Sequence, residues 1–120
     1  MSSDEFASIG GTDTAPSPAE QLLAALGNCL VVGYVAYASI AGITIEELRI
    51  TVEGDIDLHS FLGVRDGHAG YRAIRATVHL RCDADGERLA DLHRRVSATS
   101  PVGDTLSTGV TLTVTPAAAS

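Results

Sequence analysis

Between Gln21 and Ala41 the chain carries no charged side chain, and the boundaries of that run are sharply marked. Ser17 is a natural N-cap, Pro18 suits the first helical position, and Glu20 stands where a capping box would close on Ser17. Gly42 then stops the run as a left-handed C-terminal glycine does. The stretch SPAEQLLAALGNCLVVGYVAYASIAG therefore reads as one long helix, apolar or small nearly all round, with Cys29 near its middle. A surface helix shows one apolar stripe; this one needs wrapping on several sides.

A run of about twenty uncharged residues is long enough to cross a bilayer. Gln21, Asn28 and Ser39 interrupt it, however, no cluster of basic residues flanks it, and the rest of the chain alternates like a sheet protein. The expectation is a chain outside the membrane. No basic segment followed by an apolar run opens the sequence, so no signal peptide is expected and the cytoplasm is the default location.

The remainder supplies the wrapping. Residues 1–16 are polar and glycine-rich and read as a flexible arm; residues 17–115 read as a single domain, and 116–120 as a frayed tail. From Thr44 to His59, Leu48, Ile50, Val52, Ile56 and Leu58 alternate with Arg49, Thr51, Glu53, Asp55 and Asp57, the pattern of a strand with one wet face. FLGVRDGHAG turns the chain into a second such strand, Tyr71–Cys82, whose inner face carries Ile74, Ala76, Val78, Leu80 and Cys82. Asp83-Ala-Asp-Gly leads into a helix over about 87–97 with a narrow stripe of Leu89, Leu92 and Val96. Ser100-Pro101 starts a further short helical turn, and Val110, Leu112 and Val114 read as a closing strand with threonines facing out. The class is α+β: a long central apolar helix packed on a small, mostly antiparallel sheet. A three-stranded sheet cannot cover such a helix, so a homodimer is expected, with Ala24, Ala25, Gly27, Gly33, Ala36 and Ala38 admitting close backbone approach.

Composition removes several functions. The formal charge is −7 and all basic residues are arginines, scattered rather than clustered, which is unsuited to nucleic acid or an anionic membrane. Cys29 and Cys82 form no disulfide framework, and His59, His68, His79 and His93 are not at metal-ligand spacing with each other or with a cysteine. No metal or cofactor is expected, and each histidine reads as a surface or loop residue. Asp55 and Asp57 read as solvating one strand face. Cys82, on the apolar side of a strand, reads as core. Cys29 stands open between a buried core cysteine and a reactive thiol, because catalysis needs a thiolate and a mid-helix position supplies little to stabilise one.

PAEQLLAALGNCL, the strand running into GDIDLHSFLGV, and SPVGDTL near the end together resemble the OsmC/Ohr family of osmotically inducible and organic hydroperoxide resistance proteins, over about Pro16–Thr115. The resemblance implies an intertwined homodimer with two central helices between sheets, and reduction of organic hydroperoxides by a peroxidatic cysteine at the position of Cys29. It also implies a resolving cysteine in a Cys-Pro-Val segment and an Arg–Glu pair that activates the first thiol. This sequence departs from that set. Ser100-Pro101-Val102 puts a serine at the resolving position, where it cannot serve as a resolving thiol. The family's glutamate follows the motif proline directly; here Ala19 holds that place and Glu20 comes one residue later, about 100° further round the helix. The family's arginine comes from N-terminal strands, whereas no arginine precedes Arg49, leaving Arg72 and Arg75 of a second copy as candidates by elimination.

Two functions follow as expectations. One is a one-cysteine thiol peroxidase in which Cys29 attacks an organic hydroperoxide and an external thiol reductant regenerates it. The other is a non-catalytic homodimer of the same fold that binds a small hydrophobic molecule near Cys29.

Overall fold

The structure is a computed structural model and describes residues 17–57, 62–63 and 67–117. The expected arm at 1–16, Leu58, His59 and Phe61 at the first turn, and residues 118–120 lie outside the described part. The chain runs α1 (Pro18–Ala41), β1 (Ile45–Ile56), β2 (Tyr71–Cys82), α2 (Gly86–Thr99) and α3 (Pro101–Thr108).

Both ends of α1 are built as the sequence dictates. The Ser17 hydroxyl accepts from the Glu20 N–H at 3.2 Å while the Glu20 carboxylate accepts from the Ser17 N–H at 3.0 Å, so two otherwise orphaned donors are satisfied. Gly42 adopts φ 72°, ψ 28°, and the Ile43 N–H donates back to the Ala38 carbonyl at 2.8 Å. The Arg88 guanidinium donates to the Ala41 carbonyl at 3.0 Å, a cation at the negative end of the helix.

β1 and β2 form an antiparallel two-stranded sheet, with Leu48 opposite Leu80, Ile50 opposite Val78 and Val52 opposite Ala76. Exposure alternates along β1 as the period-two pattern requires. The apolar face packs on α1, whose inward line is Leu26, Leu30, Tyr34 and Ala38 at four-residue spacing. α2 covers a second flank of α1 through Leu92 and Val96, and α3 a third through Val102 and Leu106. On the outer sheet face Arg75 pairs with Asp55, and Arg81 with Glu46 and Glu47; these pairs are half-exposed and contribute little to stability.

Small residues set the approach distances. A Cβ on Gly33 would come within 3.0 Å of Val96, and one on Gly54 within 2.5 Å of the Tyr71 ring. Tyr71 in turn donates its hydroxyl to the Ala19 carbonyl at 2.7 Å, tying the start of β2 to the start of α1.

Two sequence expectations are corrected. Val110, Leu112 and Val114 do not close the sheet: they run without hydrogen-bonded strand structure and are 74%, 81% and 84% exposed. Their alternation gives strand propensity, but a strand exists only where an edge pairs with it, and these residues pair with neither β1 nor β2. His93 is not a surface residue. It is half-buried on α2, its Nδ1 lies 2.6 Å from the hydroxyl of Tyr34, and the rings meet edge-to-face with centroids 5.5 Å apart.

α1 alone among the described helices is long and apolar enough to cross a membrane. Its inward line is nonetheless committed to the sheet and to α2, while Val32, Val35 and Ile40 remain 68%, 56% and 77% exposed.

Gly54→Ala should cost about 1–3 kcal/mol in urea unfolding, because the added methyl must displace the Tyr71 ring and its bond to Ala19; an unchanged midpoint would show that the ring moves freely. A pH dependence also follows. Burial holds the Tyr34 phenol above its usual range, and burial with the nearby Glu20 charge does the same for Tyr71. A folded-state value above the unfolded one means stability that is complete below about pH 10 and is lost as pH rises through the folded value. Tyr34→Phe should therefore show a shallower alkaline loss of stability than the parent, from a baseline lowered by about 1 kcal/mol for the missing hydrogen bond.

Candidate functional site

Cys29 sits on the flank of the inward line of α1, three residues after Leu26 and one before Leu30. That position aims it at the junction where α2 ends and α3 begins. The junction is a tight device: Ser100 is the last residue before Pro101, only 5% exposed, and its hydroxyl accepts the Gly103 N–H at 3.0 Å as the N-cap of α3. The same hydroxyl lies 3.2 Å from the Cys29 sulfur. Gly103 is required for this arrangement, since a Cβ there would meet Ser100 Cβ and Oγ at 3.1 Å.

Cys29 and Ser100 share an open groove of about 440 Å³. Val32, Gly33, Ala36 and Tyr37 of α1 form one wall; Val96, Thr99 and Pro101 form the other. Among the described residues its lining contains no charged side chain. The thiol is half-buried and free, so it is reachable from the groove yet has no disulfide partner. The groove admits an apolar molecule and presents sulfur and hydroxyl as its polar features.

Of the expected site residues, the fold brings Cys29 and Ser100 together. Glu20 is spent on the capping box and lies nine residues before Cys29, about 13 Å along the helix axis. Arg75 is bound bidentately to Asp55 on the outer sheet face, at 2.9 and 3.1 Å. That guanidinium holds the Asp55 carboxyl below its usual range. Arg72 lines a separate groove with Leu22, Leu26, His68 and Leu106. Neither arginine reaches Cys29 within one chain. Cys82 is half-buried at the end of β2 and donates weakly to the Ala84 carbonyl at 3.6 Å, so it takes no part in the groove. No cluster of three His, Cys, Asp or Glu able to hold a metal occurs among the described residues.

The role of Gly33 and Tyr37 as groove wall was open to helix arithmetic, being four and eight residues after Cys29. That of Thr99 and Val96 was not, because it depends on how α2 crosses α1.

No curated protein matches the chain. Solved structures do. An OsmC-like protein from Mycoplasma pneumoniae superposes with a TM-score of 0.70 at 24% identity, over 79% of this chain and 64% of that one. An OsmC-like protein from Vibrio cholerae gives 0.59 at 13%, over 82% and 64%. An organic hydroperoxide resistance protein OsmC from Legionella pneumophila gives 0.60 at 15%, over 87% and 71%. The present chain thus spans about two thirds of the length of these proteins, and the likeness at these identities is one of fold. The family model described as OsmC-like protein matches residues 11–115, nearly the whole sequence. The chain belongs to the OsmC-like family.

Proposed function

We propose that the protein is a one-cysteine reductant of organic hydroperoxides, with Cys29 as the reacting thiol. The observation that carries this reading is the placement of Cys29: half-buried, in an uncharged apolar groove, with the Ser100 hydroxyl against its sulfur. The family is associated with organic hydroperoxide resistance, and the Legionella protein of the same fold carries that description. An alkyl or aryl group fits the apolar walls while the peroxide end meets the sulfur.

The chemistry is a two-electron transfer. The Cys29 thiolate attacks the terminal oxygen of R–O–OH; the S–O bond forms, the O–O bond breaks, and the leaving alkoxide takes a proton to become the alcohol. Cys29 is left as a sulfenic acid. With serine at position 100 no internal thiol follows, so an external thiol condenses with the sulfenic acid, releasing water. A second thiol then displaces Cys29 from the mixed disulfide. Small thiols of the cytoplasm meet this need.

The working form on this reading is a homodimer. Val31, Val32, Val35 and Ile40 leave an exposed apolar face on α1, and the 110–114 segment is uncovered; a second copy accounts for both. It also offers a route for an arginine to the groove, whose described lining holds none.

A second reading rests on the uncharged lining: a binding module that holds a small hydrophobic molecule and leaves Cys29 unreacted. Mass spectrometry of the reduced protein after brief exposure to cumene hydroperoxide, with a sulfenic-acid trap and Cys29→Ser as control, separates the two. Labelling at Cys29 faster than a free thiol at the same pH is the expected result; labelling no faster leaves the binding module. Sedimentation should give twice the chain mass, and Val35→Asp should shift it towards the monomer; a monomeric parent would overturn the dimer.

A further inference from the structure

We infer that Ser100 is a positioning residue for Cys29: its hydroxyl is held by the α3 cap so that its proton points at the sulfur and stabilises the thiolate. This rests on the peroxidase reading for its purpose, but not for its test.

The hydrogen-bond inventory carries it. A serine hydroxyl has one proton and two lone pairs. At Ser100 one lone pair is taken by the Gly103 N–H at 3.0 Å, a bond fixed by the backbone of α3. The remaining lone pair and the proton are what Oγ can offer Cys29 at 3.2 Å. While the thiol is protonated, either group donates. Once the sulfur is ionised it has no proton, and Ser100 alone donates. The bond then becomes charge-assisted, roughly twice as strong as a neutral one. Burial of Ser100 at 5% exposure keeps water from competing for that proton. The geometry is over-determined by Pro101, which fixes the first turn of α3, and by Gly103, whose missing side chain leaves Oγ its place. The residue that stands where a second thiol would resolve the first thus has a different task here: it replaces part of the stabilisation that a cation would give, in a groove whose described lining holds none.

The test uses the full chain with Cys82→Ser, so that Cys29 is the sole thiol, and reads the rate of alkylation by iodoacetamide against pH. Ser100→Ala should move the profile to higher pH and slow alkylation at neutral pH about tenfold, the scale of one charge-assisted bond. Ser100→Thr retains hydroxyl and cap and should restore the parent profile. Ser100→Asp caps α3 well but sets a negative charge beside the sulfur, and should slow alkylation more than alanine does. If aspartate matches the parent while alanine is slow, Ser100 acts only as a cap and the inference falls. It falls too if all variants share the parent profile. Should alanine destabilise the fold by circular dichroism, the threonine–aspartate comparison decides alone. A shifted profile in a protein that does not reduce hydroperoxide would keep the inference and discard the peroxidase.

Discussion

The line of Leu26, Leu30, Tyr34 and Ala38 along α1 holds the molecule together, because every other element is placed by what it covers of that line. The sheet lies on one side, α2 on another, and α3 on the third. Each buried leucine contributes about 1.5–3 kcal/mol relative to exposure, so no single neighbour dominates and the wrapping forms cooperatively. The Tyr34–His93 bond lies within the same line and fixes how α2 crosses. That crossing puts Ser100 against Cys29. The contact between Ser100 and Cys29 is therefore a by-product of core packing, with Gly33 and Val96 setting its tolerance.

What was legible in the sequence is what local chemistry decides. The capping box at Ser17, the left-handed Gly42 and the alternation over Leu48–Ile56 and Val78–Cys82 each depend on a few consecutive residues and stand as read, whereas Ala76, expected on the inner face, is exposed. The cap at Ser100 was equally plain. What local chemistry does not decide was missed. Val110–Val114 has the composition of a strand yet pairs with neither β1 nor β2. His93 finds Tyr34 across 59 residues, which periodicity along α2 does not announce. The meeting of Cys29 with Ser100, 71 residues apart, was indicated by family resemblance, and spacing alone would not have shown it. Glu20 shows the opposite case: the same residue satisfied a local rule completely and for that reason is tied to the helix start.

A thiol in the middle of a long helix receives almost nothing from its own helix dipole, whose field is strong only in the end turns. In this fold the start of a different helix lies against the sulfur. α3 is short, and its first turn is organised by three consecutive features, the Ser100 cap, Pro101 and the side-chain-free Gly103. The cap of α3 and the contact to Cys29 are thereby joined in one hydroxyl, so a substitution at position 100 alters both.

The exposed segment after α3 bears on how the newly made chain behaves. Val110 to Thr115 is six residues of alternating valine, leucine and threonine without a charge, bounded by Gly109 and Pro116. Such a window pairs readily with any free strand edge, including that of an unrelated nascent chain. Pro116 limits the hazard by ending the run, as a gatekeeper residue does. An exposed window of this kind leaves the chain prone to misassociation when it is crowded among unfolded neighbours.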